Sequence, residues 1–175
     1  MANKKTAQQG VVAILTDEYI DYRKILIDRI AGVLQQAGYS AVCIAGGELS
    51  ELLPGTGGAV CNNMYSLAAE VNFDGVICLS GGLIGTTDRL DLLNRALAGV
   101  NVPIVSLGLD APGIASVTVD DLPAMHDLMS HLLTDTSCQH FAFLQGKQAD
   151  QYSQQREQIF RSTLAEAGYE VRESR

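Results

Sequence analysis

The side chains best suited to chemistry in this chain lie just past short apolar runs. Thr16, Asp17, Glu18 and Tyr19 follow the run at 11–15, Gly46 and Gly47 follow 41–45, Ser80 to Gly82 follow 75–79, and Asp110 follows 103–108. Carboxylates, hydroxyls and open backbone amides at such places can hydrogen-bond a small polar ligand. Each position also has a plainer reading, because Asp, Ser and Gly are the residues of tight turns. Arg156 adds a guanidinium fork, which suits hydroxyls or carboxylates. Its plainer reading is a solvated helix charge.

Several chemistries are excluded by spacing. Asp17 and Glu18 are similar to the acidic pair of a response-regulator receiver, yet the third apolar run ends in Leu-Ser-Gly, without a phosphoacceptor aspartate. The stretch Gly-Gly-Leu-Ile-Gly-Thr-Thr at 81–87 could cradle a phosphate with backbone N–H groups. It lacks the lysine of a P-loop and reads as a ligand-side loop. Ser80 has no glycine two residues before it, so the nucleophile-elbow pattern is absent. His126, His131 and His140 share no metal-binding or triad spacing. Cys43, Cys61, Cys78 and Cys138 stand far apart, without a C-x-x-C pair, and are expected to be reduced, mostly buried thiols. No catalytic residue, metal or cofactor is therefore expected.

The elements that must position these residues are legible as alternating textures. Apolar runs without polar alternation, at 11–15, 41–45, 75–80, 103–108, 116–119 and 140–144, predict strands buried on both faces of a parallel sheet. Between them, residues 22–37 place Tyr22, Ile25, Leu26, Ile30, Val33 and Leu34 at helical spacing, and Gly38 supplies a stop. Further helices are predicted from Asp88 to a stop at Gly99, over 121–133, and over 153–167 before Gly168, with a weaker one over 63–71. Leu-Pro-Gly-Thr-Gly-Gly at 53–58 reads as a loop. The fold class is α/β, a doubly wound parallel sheet with right-handed crossovers and helices on both faces.

The chain has 175 residues, is 47% hydrophobic and carries a formal net charge of -8, so a nucleic-acid backbone would repel it unless its basic residues shared one face. They are spread along the sequence. No apolar stretch nears the roughly 18 residues of a membrane span, and the first run is too short for a signal-peptide core. A cytoplasmic protein with neither membrane nor direct nucleic-acid contact is expected.

From residue 11 to residue 171 the order of motifs resembles the ligand-sensing region of lactose-repressor and galactose-repressor regulators, which share the type I periplasmic-binding fold. Phe-Asp-Gly-Val-Ile-Cys-Leu-Ser at 73–80, Pro-Ile-Val-Ser-Leu-Gly at 103–108 and Ser-Val-Thr-Val-Asp-Asp at 116–121 each resemble a family segment. So do Phe-Ala-Phe-Leu-Gln-Gly at 141–146 and Arg-Glu-Gln-Ile-Phe at 156–160. The variant attached to diguanylate cyclases is similar at Ala-Gly-Gly-Glu-Leu (45–49) and Leu-Gly-Leu-Asp-Ala-Pro-Gly-Ile-Ala-Ser (107–116). The family's Gly-His before the sixth strand is here Ser137-Cys138, and its glycine after the arginine is Ile159.

The resemblance implies a polar leader at 1–10, a first lobe at 11–119, and a crossover with an incomplete second lobe at 120–175. It implies a ligand set of Asp17, Tyr19, Tyr22, Gly46, Ser80, Gly81, Asp110, Asp120 and Arg156, facing a small sugar-like or nucleoside-like metabolite. The expected function is a non-enzymatic sensor coupled to an output module outside this chain. A flavodoxin-like enzyme or flavin-binding protein, and a dimerisation module with a vestigial pocket, are the alternatives. A homodimer is expected through the surplus of apolar residues at Tyr22, Ile25, Leu26, Ile27 and Ile30. With its second lobe incomplete, the chain alone is expected to bind no effector tightly, the strand at 140–144 joining the first sheet or a neighbouring subunit and displacing Arg156.

Overall fold

The computed structural model describes residues 10–49, 63–135 and 138–170. Two compact units divide at Thr118 and Val119. The leader at 1–9, the loop at 53–58, Cys61, Ser137 and the chain beyond 170 lie outside the described residues.

The first unit is a five-stranded sheet in the order β2-β1-β3-β4-β5, parallel throughout. Its strands are β1 (Gly10–Thr16), β2 (Tyr39–Ala45), β3 (Gly75–Cys78), β4 (Ile104–Leu107) and β5 (Ala115–Val117). The run Val-Val-Ala-Ile-Leu becomes β1 because it is apolar toward both faces and is paired on both edges, with Ala13 to Thr16 no more than 1% exposed. Helix α1 (Asp21–Gln36) lays Ile27 against Ile14 and Leu79, flanked by Leu26, Ile30 and Leu34. Gly38 follows it in the left-handed conformation (φ 87°), which a Cβ would strain.

The remaining helices of this unit are short. A 3-10 turn at Asn63–Ser66 leads into α2 (Leu67–Glu70), so the weak helix expected at 63–71 is a short stretch of mixed winding. The stretch after β3, expected as a loop, begins with the helical turn α3 (Ser80–Leu83). The helix expected from Asp88 is a 3-10 turn at Thr87–Arg89 continued by α4 (Leu90–Ala96).

Two expectations need correction. Strands buried on both faces are found at the centre, but β2 alternates toward solvent with Val42 41% exposed, and β5 leaves Val117 59% exposed. Both are edge strands, and an edge lacks the neighbour that would cover it. Of the described cysteines, Cys78 is buried while Cys43 and Cys138 are exposed, so they are not mostly buried.

The second unit pairs α5 (Leu122–Thr134) with α6 (Gln151–Glu166). Met129, Ile159, Phe160 and Leu164 form its core, and Asp150 caps α6 by accepting the Tyr152 N–H at 3.0 Å. The strand expected at 140–144 is not formed, and the segment has not joined the five-stranded sheet. A strand exists only as part of a ladder, and the described residues of this unit offer no second strand. Phe141 and Phe143 instead use the extended alternation to pack on the helices, Phe143 at 5.2 Å from the Phe160 ring and Phe141 edge-on to Tyr169, while Leu144 is 97% exposed. No helix among the described residues is long and apolar enough to cross a membrane.

Burial in β3 pushes the Cys78 thiol from its ordinary 9.0 up to about 12. The folded state therefore holds the proton more tightly than the unfolded one, and the group's contribution is intact below the unfolded value. Stability is expected to fall as pH rises from about 9 toward about 12. Urea unfolding across that range should show an alkaline slope that Cys78→Ala reduces; an identical slope in the variant would disprove it.

Candidate functional site

The carboxyl ends of β1 to β4 lie along one edge of the sheet, and side chains stitch the segments that follow them. Beyond β1, the Thr16 hydroxyl donates to the Glu18 carbonyl at 3.0 Å and closes the turn into α1. Asp17 is turned inward with only 11% of its side chain exposed, and Arg23 from the first turn of α1 pairs with it through Nε at 2.7 Å. The same guanidinium reaches Glu18 through Nη1 at 2.7 Å. One cation thus spans two carboxylates, the guanidinium donating and both carboxylates accepting.

This pair stands over the segment after β3. A Cβ added at Gly82 would lie 2.4 Å from Asp17 Oδ1 and 2.9 Å from Arg23 Nε, so glycine is what lets the two loops meet. The β1 and β3 ends flank the point at which the strand order reverses, and open α/β sheets hold ligands at that crevice. Ser80, fully buried, shares a hydrogen bond of 2.8 Å with the Ser106 hydroxyl of β4, which donates to the Leu109 carbonyl at 2.7 Å. Gly81 is exposed, and its backbone approaches Gly108, the residue after β4.

The segment after β2 is anchored from two sides. Its Gly46 is buried, and Leu49 N–H donates to the Leu83 carbonyl at 2.7 Å. Arg89 bonds the Leu49 carbonyl and Glu48, and donates to the Ile84 carbonyl at 3.1 Å. Tyr65, buried below this segment, sends its hydroxyl to the backbone of Thr16, Gly46 and Gly47.

Of the candidates read from sequence, Asp17, Gly46, Ser80 and Gly81 are brought to one edge of the first unit, with Asp110 exposed after β4. Ser80 spends its hydroxyl inside the protein. The Tyr19 phenol bonds Asp28 on α1, and this hydrogen bond raises its pKa above the ordinary value. Lys24 completes the cluster at 2.6 Å from Asp28 and 5.4 Å from the Tyr19 ring. Tyr22 is 73% exposed on α1. Asp120 and Arg156 belong to the second unit. There Asp120 accepts the Leu122 N–H at the start of α5, and Arg156 grips Asp121 through Nε at 2.6 Å and through Nη2.

Arg23 and Tyr65 escaped the sequence reading as site residues, whereas Gly82 was among the residues read after the third strand. Arg23 falls outside the apolar stripe of the helix at 22–37, and no spacing rule links it to Asp17 or Glu18. Among the described residues no group of three His, Cys, Asp or Glu could hold a metal ion.

No characterised protein family matches the sequence, and no curated protein does either. Solved structures do share the fold. The transcription regulator CcpA of Lactococcus lactis is 17% identical with a TM-score of 0.70, over 94% of this chain and 56% of its own. A periplasmic binding protein/LacI transcriptional regulator from Alkaliphilus metalliredigens QYMF, complexed with D-xylulofuranose, is 11% identical with a TM-score of 0.66, over 93% of this chain and 55% of its own. The transcriptional regulator CelR in complex with cellobiose is 20% identical with a TM-score of 0.65, over 96% and 50%. The chain has the α/β fold of these periplasmic-binding-like regulators and spans about half the length of the structures it matches.

Gly82→Ala is expected to cost under about 1 kcal/mol, because only the ends of two flexible side chains must move and a partly exposed ion pair contributes little. The same substitution should separate Arg23 from Asp17. Amide NMR should then find the Arg23 Nε–H exchanging faster with solvent while the thermal midpoint barely moves; a protected Nε–H in the variant would contradict this.

Proposed function

We propose that this chain is the small-molecule-sensing part of a regulatory protein, and that its ligand sits at the carboxyl edge of the first unit. The observation that carries the reading is the Asp17–Arg23–Glu18 array over Gly82 at the strand-order reversal. Carboxylate oxygens accept and guanidinium groups donate, so the array matches hydroxyls that do both. A neutral sugar-like or nucleoside-like metabolite fits this chemistry better than an anion, which two carboxylates would repel. Complexes of D-xylulofuranose and cellobiose with proteins of the same fold support that class.

In this reading residues 11–119 form a first lobe, and 120–175 the crossover and part of a second. Asp110 is a further ligand residue of the first unit; in the second, Asp120 and Arg156 are proposed ligand residues, with Arg156 exchanging Asp121 for ligand oxygens. The ligand biases the output only through its differential affinity for the open and closed arrangements. The output module lies outside this chain, in a cytoplasmic regulator; a diguanylate cyclase is the finer version, resting on the segments at 45–49 and 107–116 alone. Neither catalysis nor direct nucleic-acid binding is assigned to the chain itself.

Thermal unfolding against D-xylulose, cellobiose, D-ribose and adenosine tests the reading. At least one should raise the midpoint in a concentration-dependent way, since a ligand at about 100 times its Kd adds about 2.7 kcal/mol. Calorimetry should place that Kd above the micromolar range, because the described part of the second unit supplies two helices and no sheet. No shift with any of them, together with a yellow flavin-bound protein, would replace this reading by the flavodoxin-like one.

The same regulator is proposed to act as a homodimer through α1. Ile27 is buried and Leu26 and Ile30 are half-buried, whereas Tyr22, Ile25 and Val33 are 73%, 63% and 65% exposed and line up with Arg29 along one stripe. Light scattering is expected to give twice the 18.7 kDa chain mass, and Ile25→Asp to halve it. A wild-type protein of single-chain mass at micromolar concentration would end the dimer proposal.

A further inference from the structure

One buried phenol joins the two strand ends on which the site is built. Tyr65 lies in the 3-10 turn Asn63–Ser66, is 1% exposed, and carries its hydroxyl to the carboxyl ends of β1 and β2. The oxygen is 2.8 Å from the Thr16 carbonyl and 2.6 Å from the Gly47 carbonyl, and it accepts the Gly46 N–H at 3.1 Å. Gly46 N–H also reaches the Thr16 carbonyl at 3.2 Å, and Gly47 N–H donates to the Asp17 carbonyl at 2.9 Å. A phenol has one hydrogen, so it donates to one of the two carbonyls at a time. Either choice ties the segment after β2 to the end of the central strand.

The ladder between β1 and β2 ends at Thr16 and Ala45. Tyr65 therefore extends the connection beyond the last paired residues, into the backbone that the ligand reading assigns to the site. We infer that Tyr65 is a positioning residue: its hydroxyl sets the spacing between the Thr16–Asp17 and Gly46–Gly47 segments, and with it the place of the Asp17 carboxylate. For its effect on affinity the inference rests on the sensing function proposed above; for the loop geometry it stands on the hydrogen bonds alone. The ring fills core space, and that task a phenylalanine performs equally. The hydroxyl is the separable part, and without it the Gly46 N–H and whichever carbonyl it serves each lose a hydrogen bond.

The test compares Tyr65→Phe with Ile27→Val in the full chain. Ile27→Val removes one buried methylene beneath α1, where the residue is 3% exposed, and lowers global stability with the phenol intact. In Tyr65→Phe the Gly46 and Gly47 amides should exchange with solvent about tenfold faster, while Ile14 and Ile44 in the strands change only as far as overall stability does. In Ile27→Val the two glycines should change no more than the strands. For D-xylulose or cellobiose, whichever shifts the wild-type midpoint more, Tyr65→Phe should weaken Kd about tenfold and Ile27→Val should leave it alone. Unchanged glycine exchange in Tyr65→Phe, uniform acceleration throughout the unit, or local loosening without loss of affinity overturns the inference. If none of D-xylulose, cellobiose, D-ribose and adenosine binds the wild type, the sensing function fails, and the exchange pattern still decides whether the hydroxyl holds the loops.

Discussion

The sealing of β1 on both faces is the constraint from which the rest of the first unit follows. A strand whose residues 13 to 16 are at most 1% exposed cannot lie at an edge, so β2 and β3 must occupy its two sides. Successive side chains point to opposite faces, so Ile14 meets Ile27 of α1 while Ala13 and Leu15 are directed to the opposite face and need cover there. With β2 on one side and β3 on the other, the strand order reverses at β1, and the ends of β1 and β3 open a crevice between diverging crossovers. A core requirement thus decides where a ligand can sit.

Polar groups at that crevice are arranged so that burial does not leave them unsatisfied. Thr16, Ser80 and Ser106 are fully buried, and each hydroxyl closes a hydrogen bond within its own loop or to the neighbouring one. Asp17 is nearly buried as well, and the Arg23 guanidinium partners its carboxylate at 2.7 Å. The whole chain has an excess of acid, -8 in formal charge, yet the site places a cation between two carboxylates. Such an arrangement discriminates by hydrogen-bond pattern more than by net charge.

The second unit solves a different problem. Its two helices carry more apolar surface than a helix pair covers alone, and Phe141 and Phe143 supply the rest from an extended segment. The alternation that marks a strand here serves packing on one side only, leaving Ala142 and Leu144 to solvent. Arg156 is held by Asp121 through Nε and Nη2, both on Oδ2, which restrains the guanidinium and leaves it partly exposed.

By itself the sequence determined which segments become the five strands and the longer helices of the first unit, since uninterrupted apolar runs and 3.6-residue periodicity are local properties of the chain; the helical turn at Ser80–Leu83 is too short to show either. It also placed Asp17, Gly46, Ser80 and Gly81 at strand ends, because turn residues after an apolar run need no knowledge of the neighbours. What only the tertiary structure decided are relations across long separations. Whether 41–45 is central or an edge depends on strand order, and whether 140–144 is a strand depends on a partner that its own residues cannot specify. Tyr65 meets Thr16 across 49 positions and Gly46 across 19, and Gly82 faces Asp17 only because β1 and β3 are adjacent. A hydroxyl or guanidinium finds its partners through the positions the backbone takes after folding, and no periodicity in the chain encodes those distances.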